Sequence, residues 1–211
     1  MFYNIDMNNI VDELNKHGYE SYIVGGYVRD YLLSYESKDI DICTNAKIED
    51  IERIFQDRGK SYPNYYSYHI KEQDCTYDIT SYRKELKYKN NKPCKIVYAK
   101  TLKEDLKRRD FTINILAIDK NGKLIDLMHA KKDLDRKIIR VVGDTETRLK
   151  EDKTRIIRAI RFACTLDFTL SNDIKEFLSK NGKYLNQIPK KYIKKELDKI
   201  IKTAKKKKDE T

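Results

Sequence analysis

The sequence predicts an α+β fold, a small mixed sheet with helices followed by an all-helical C-terminal part. Three observations carry this. Ser37 to Cys43 alternates with period two, the mark of a half-buried strand. Ile48, Ile51, Ile54 and Phe55 then recur at helical spacing. Beyond about residue 144 the apolar positions keep helical spacing to the end, as in Ile156, Ile157, Ile160 and Ala163.

In chain order, residues 6–17 read as a helix with Ile10, Val11 and Leu14 on one side and Gly18 as its stop. Tyr22 to Val24 is a short apolar strand, and Gly26 to Leu33 the helix after it. Two more strands are predicted near Tyr65–Ile70 and Cys75–Tyr82. Residues 83–94 are polar, contain Pro93, and read as a mobile loop. Thr101 to Arg108 is a short helix, with Thr101 as N-cap and Glu104 as its capping-box partner. Ile113 to Ile118 suits helix or strand. Lys123–Leu127 and Ile138–Val142 read as short strands. Ile174, Phe177 and Leu178 form one helical stripe. Residues 190–206 form a Lys-rich amphipathic helix with Ile193, Leu197, Ile200 and Ile201 on one side, and residues 207–211 a frayed tail.

Composition narrows the class. The chain has 211 residues and is 39% hydrophobic, which supports a core, while 37% are charged, against about 25% in an average chain. The net charge of +11 suits a polyanionic partner, and equally a solvated Lys-rich surface. Cys43, Cys75, Cys94 and Cys164 occur singly, without a C-x-x-C pair, which speaks against a zinc site and a disulfide framework and for a reducing cytoplasm. The N-terminus lacks the regions of a signal peptide, and no apolar run approaches membrane-spanning length.

The chemistry concentrates around Val24-Gly25-Gly26 and Asp39-Ile40-Asp41. In a strand, residues i and i+2 share a face, so Asp39 and Asp41 project side by side. Such carboxylates repel unless a cation lies between them, and Mg²⁺ prefers oxygen ligands and substrate phosphates. A glycine pair at a strand end lets backbone approach a phosphate, with the following helix aiming its N–H groups at it. Asp78, between apolar Tyr77 and Ile79, supplies a third carboxylate. Together these point to nucleotidyl transfer with two metal ions, one lowering the pKa of the attacking hydroxyl and one clamping the triphosphate. Taken singly, Asp39 also suits a strand-end salt bridge, Asp78 a turn, and Arg108-Arg109-Asp110 a surface ion-pair run. His17, His69 and His129 share no ligand spacing and read as incidental. The Tyr-rich stretch with Tyr62, Tyr65, Tyr66 and Tyr68 suits base stacking, and more readily strand packing.

Four blocks carry a resemblance. Y-I-V-G-G-Y-V-R-D-Y-L-L followed by K-D-I-D-I-C-T-N-A resembles the opening of the class II tRNA nucleotidyltransferase and bacterial poly(A) polymerase family. Leu106 to Asn114 resembles its R-R-D-F-T-I-N block, Asp126 to Leu134 its D-x-x-x-G-x-x-D-L block, and Glu151 to Arg158 its E-D-x-x-R-x-x-R block. The blocks follow family order from about residue 20 to 165. The resemblance implies a nucleotidyltransferase palm in residues 1–140, the head, and a helical neck in 141–206. It implies a template-independent enzyme that adds C and A to tRNA 3′ ends from CTP and ATP with Mg²⁺. A poly(A) polymerase or an A-only or CC-only enzyme is the alternative, and a non-catalytic RNA-binding module a lesser one.

The resemblance also implies roles. Asp39, Asp41 and Asp78 hold metal; Gly25 and Gly26 contact the triphosphate, with Arg29 nearby. Arg109 and Asp110, with Asn114 in the same block, position the nucleotide, and Asp152 and Arg155 read its base, with Arg158 and Arg161 either beside them or structural. Asp accepts from an exocyclic amine and Arg donates to ring acceptors. Cytosine and adenine both offer an amine beside an acceptor nitrogen, so a pair on adjacent helical turns accepts CTP and ATP and rejects UTP and GTP.

Three departures from the family stand out. Ala130 takes the place of a glycine that gives the family chain a bend. The E-R-I-x-x-E-L segment reads Lys191-Tyr192-Ile193-Lys-Lys-Glu196-Leu197, which alters its support of the catalytic helix. The chain ends where head and neck end, although family members continue into body and tail domains. A minimal enzyme, a protein partner or oligomer in place of those domains, and a fragment all remain open.

Overall fold

The computed structural model describes residues 9–209; residues 6–8 of the first predicted helix and 210 and 211 of the predicted tail lie outside the described residues. The elements in order are α1 (Asn9–Lys16), β1 (Ser21–Val24), α2 (Gly25–Leu32), β2 (Asp39–Thr44), α3 (Ile48–Phe55), β3 (Gly59–Tyr62), β4 (Ser67–Glu72), β5 (Cys75–Ser81), β6 (Arg83–Lys89) and β7 (Lys92–Tyr98). They continue with α4 (Leu102–Lys107), β8 (Ala117–Ile118), β9 (Leu124–Ile125), α5 (Lys131–Asp135), β10 (Ile138–Ile139), α6 (Thr145–Glu151), α7 (Thr154–Leu166), β11 (Thr169–Leu170), α8 (Asn172–Asn181) and α9 (Lys190–Asp209).

Seven strands form a mixed sheet in the order β3-β4-β5-β2-β1-β8-β9. Only β2 and β5 run parallel in it. Its two faces differ as the period-two pattern requires. Ile23, Ile42, Ile79 and Tyr68 are opposite one another across four strands and are all buried. They belong to the core shared with Ile10 and Leu14 of α1 and Ile51 and Phe55 of α3. The intervening residues, among them Asp39, Asp41 and Asp78, occupy the other face.

Helix ends follow local chemistry. The Thr101 hydroxyl accepts the Glu104 N–H at the start of α4, but the Glu104 carboxylate takes the Lys100 N–H, one residue before the capping-box position. Asp144 accepts the Thr147 N–H and starts α6. Residues 112–118 combine both predicted forms, a 3₁₀ turn at Thr112–Asn114 and then β8.

Several expectations are corrected. Residues 83–94 are no loop: β6 and β7 form an antiparallel hairpin, closed by Asn90 and Asn91 with φ of 53° and 61°. Positive φ at both central residues is the geometry of a two-residue hairpin turn, and Asn tolerates it. The C-terminal part is not purely helical, because β11 pairs parallel with β10. The packed side of α9 carries Ile193, Glu196 and Ile200, while Leu197 and Ile201 are exposed, and the helix runs past 206 to Asp209.

Ala130 is buried at φ −69°, an ordinary helical value, and the left-handed residue of its loop is His129, at φ 56°. No glycine is needed there to reach this conformation. Asp126 holds the turn by accepting the N–H groups of Ala130 and Lys131.

Candidate active site

One cleft, of ≈ 560 Å³, lies between the sheet and α7. Gly25, Gly26, Arg29 and Asp41 line it from the strand ends, Arg109, Asp110 and Asn114 from the turn after α4. Asp152, Arg155, Arg158 and Arg161 complete it from the neck. Asp39 and Asp78 stand outside this lining, on the same sheet face as Asp41.

Gly25 has φ +77°. A Cβ there would fall 2.2 Å from Asp41 Oδ2. The Gly26 N–H also bonds to Asp41. The glycine pair thus lets a carboxylate approach the backbone, in addition to the phosphate approach predicted for it.

Burial raises the Asp41 carboxyl above the ordinary aspartate range, Asp39 adds to this, and Arg109 and the Gly26 N–H oppose it. Asp78 is also raised by burial, lowered by His69, and raised again by Asp41 and Asp39. The Asp39 charge thus acts on both Asp41 and Asp78, which places the three carboxyl groups in one neighbourhood of the sheet face. Among the described residues no group of three or more His, Cys, Asp or Glu side chains forms a ready metal cage. Mg²⁺ does not need one, since it is commonly held by one or two carboxylates plus substrate phosphates. Asp39 and Asp41 meet that requirement.

His69 is not incidental: its Nε2 lies 2.7 Å from Asp78 Oδ1. Strand pairing brings the two together, because His69 on β4 is directly opposite Asp78 on β5.

The basic residues are held by a web of acids. Asp105, fully buried, accepts from Arg108 Nε at 2.9 Å, Arg109 Nη2 at 3.3 Å and the Arg83 N–H at 3.2 Å. Burial alone would raise this carboxyl, but Arg108 and Arg109 bring it below its ordinary value. Burial disfavours the Arg109 charge, yet Asp105, then Cys43 and Asp41, hold its pKa up. Asp110 accepts from the Phe111 N–H and Asn114 Nδ2. It also pairs with Arg158 at 2.5 Å. Asn114 in turn accepts from Arg29 at 2.7 Å. Burial raises Asp110, and Arg158 leads the groups that lower it overall.

The two base-reading candidates are adjacent but not on successive turns of one helix. Asp152 is extended, between α6 and α7, and its Oδ1 accepts both the N–H and the hydroxyl of Thr154. Arg155, in the first turn of α7, donates to the Tyr88 hydroxyl at 2.8 Å and to the Arg148 carbonyl at 2.5 Å. Tyr88 also donates to Glu85. Arg161 pairs at 2.5 Å with Glu196 of α9. The altered segment around residues 191–197 thus keeps its acid against the neck arginine.

Sequence reasoning missed Glu85, Tyr88, Arg83 and Asp105. The hairpin residues had a local signal in Asn90-Asn91. Asp105 had one in Arg108 and Arg109 at i+3 and i+4, but its burial and its Arg83 partner follow only from folding.

Seven arginines line the cleft against four acids, so the lining favours a polyanionic ligand. In chemical terms it offers one carboxylate for a divalent cation, Asp41, with Asp39 beside it on the same sheet face, arginines for phosphates, and an Asp–Arg pair for a base edge.

A family profile described as "Poly A polymerase head domain" matches residues 21–140. The CCA-adding enzyme of Bacillus pumilus is 40% identical over 197 residues, covering 92% of this chain and 48% of that protein. The chain therefore spans about half the length of the curated relatives it matches. Among solved structures, the Bacillus stearothermophilus CCA-adding enzyme in complex with CTP superposes with a TM-score of 0.81 at 34% identity, covering 90% of this chain and 46% of that one. A tRNA nucleotidyltransferase complexed with a primer tRNA and an incoming ATP analog gives 0.74 at 30% identity, covering 93% and 60%.

Proposed function

This chain belongs to the poly A polymerase head domain family, and from that premise we propose that it is the head and neck of a template-independent RNA nucleotidyltransferase that adds C and A to tRNA 3′ ends. The observation that carries the reading is the single cleft that combines Gly25, Asp41 and Arg109 on the head with Asp152 and Arg155 on the neck. Residues 1–140 serve as the catalytic head and 141–206 as the neck. The same reading locates the chain in the cytoplasm, with its RNA.

CTP or ATP enters with its triphosphate toward Arg109 and Arg29. Asp110 and Asn114 keep Arg158 and Arg29 in position by the bonds described above. Asp152 accepts the exocyclic amine of the base while Arg155 donates to its ring acceptors. Asp39 and Asp41, with Asp78 beside them, would hold Mg²⁺, which when bound activates the acceptor hydroxyl and neutralises the departing pyrophosphate. The acceptor 3′ oxygen attacks the α-phosphorus, a new phosphodiester forms and pyrophosphate leaves. A plain RNA-binding role fits less well, because carboxylates facing an RNA backbone repel it.

The test is a gel extension assay with Mg²⁺ on tRNA transcripts ending before CCA, at C and at CC, each with single nucleotides and with CTP plus ATP. Addition that stops after CCA supports the reading. A long adenosine ladder moves the chain to the poly(A) branch, and the absence of product with every transcript overturns catalysis by this chain alone.

A further inference from the structure

A single rung of the sheet runs from the cleft to the sheet edge. Asp41 on β2 is opposite Asp78 on β5, Asp78 is opposite His69 on β4, and His69 is opposite Lys60 on β3. Directly paired residues share a face. The intervening residues Tyr68, Ile70, Tyr77 and Ile79 are buried on the other side. The rung therefore lies on the open face, and the His69 and Asp78 side chains are 40% and 44% exposed. Three strand spacings separate Asp41 from Lys60, about 14 Å.

Its chemistry changes along that distance, from carboxylates at the cleft to cations and aromatics at the edge. Tyr62, two residues beyond Lys60 on the same face, is 37% exposed, with its ring 4.5 Å from that of His69. The Lys60 ammonium is 5.5 Å from the Tyr62 ring. Lys71, two residues beyond His69, extends the cationic edge. Stacking surfaces beside lysines are what an unpaired strand of nucleic acid requires: bases stack on rings, and phosphates pair with ammonium groups. Such a strand reaches the carboxylates with its terminal hydroxyl.

We propose that this rung is the seat of the acceptor RNA's single-stranded 3′ end, with Tyr62 and His69 stacking on its last bases and Lys60 and Lys71 holding the phosphates behind them. The proposal rests on the nucleotidyl-transfer reading above and adds the direction from which the acceptor arrives. His69, 2.7 Å from Asp78, lies between the stacked terminus and the carboxylate nearest it.

The experiment measures binding of a fluorescein-labelled single-stranded RNA ending in CC to the protein by anisotropy, alongside CTP binding and the extension assay. Tyr62→Ala is expected to weaken RNA binding about tenfold, and Tyr62→Phe, which keeps the ring, to bind like the wild type. Lys60→Gln and Lys71→Gln should each lower the log–log salt slope by about 0.7. CTP affinity and melting temperature should stay unchanged in all of these. Equal RNA binding by Tyr62→Ala and wild type, or a wild type that does not bind the RNA at low salt, overturns the proposal. Extension is scored separately: a wild type that binds RNA through Tyr62 but never extends it refutes the catalytic reading and leaves the RNA seat standing.

Discussion

Gly25 and Asp41 occupy space that only a glycine permits, since a Cβ on residue 25 would lie 2.2 Å from Asp41 Oδ2. The positive φ of residue 25 adds backbone strain for any other residue, about 1–2 kcal/mol. Gly25→Ala is therefore expected to displace Asp41 and reduce nucleotide transfer by at least a hundredfold. Gly26→Ala is the contrast, because a Cβ there meets nothing nearer than Arg29 at 3.5 Å. Comparable kcat values for the two variants would contradict this account.

Asp41 is held at a cost to stability. Its carboxyl is raised by burial, so the folded chain retains a proton that the unfolded chain has already released. Stability falls as pH rises through that window, and the loss persists at pH 7. Asp41→Asn should abolish transfer yet raise the melting temperature at pH 7. The gain should vanish below the ordinary aspartate range, where both states are protonated. Calorimetry at pH 7 and at acid pH checks both parts.

Asp105 anchors two cleft arginines from complete burial. Removing one partner of such a buried charge cluster costs about 3–5 kcal/mol. Asp105→Ala should therefore lower the melting temperature by roughly 6–20 °C. Because this carboxyl is depressed in the folded state, its contribution is present above the ordinary aspartate range and is lost as pH falls through the depressed value. Asp105→Asn, which keeps the shape, should fold better than the alanine variant and still raise the KM for CTP. A normal KM in that variant would show that Arg109 needs no anchor.

Tyr88 steadies Arg155 by accepting one of its hydrogen bonds. Tyr88→Phe keeps the ring and its cation–π contact, 5.1 Å from the guanidinium, but removes the acceptor. Discrimination of CTP over UTP, measured as a ratio of kcat/KM, is expected to fall about tenfold, within the range for a lost hydrogen bond to a charged group. An unchanged ratio would mean that the Arg148 carbonyl and Glu151 orient Arg155 without Tyr88.

Much of the head was legible because its signals are local. The alternation around Asp39 and Asp41 and the apolar stripe from Ile48 to Phe55 each reveal an element without reference to anything distant. The order of the motif blocks then located the cleft residues. What escaped depends on pairing at a distance. The close approach of His69 to Asp78 exists only once β4 lies beside β5. Asp105, with Arg108 and Arg109 at i+3 and i+4, reads as a solvated ion pair until the fold buries it and brings the Arg83 N–H to it. The hairpin was misread because most of its residues stand clear of the core, so its strands lack the apolar alternation that betrays a half-buried strand.

The hairpin also acts as a gauge. Its base is tied to α4 by the Arg83 N–H to Asp105 and its tip to the start of α7 by the Lys153 N–H to Asn91 Oδ1. Its ladder shifts register on both sides of Lys87, and Glu85 and Tyr88, an odd number of residues apart, both line the cleft. A further one-residue insertion between Glu85 and Tyr88 would turn one of that pair outward. Inherited changes of hairpin length that preserve the site are therefore expected in steps of two residues, so that the distance between α4 and the start of α7 is drawn from a discrete series.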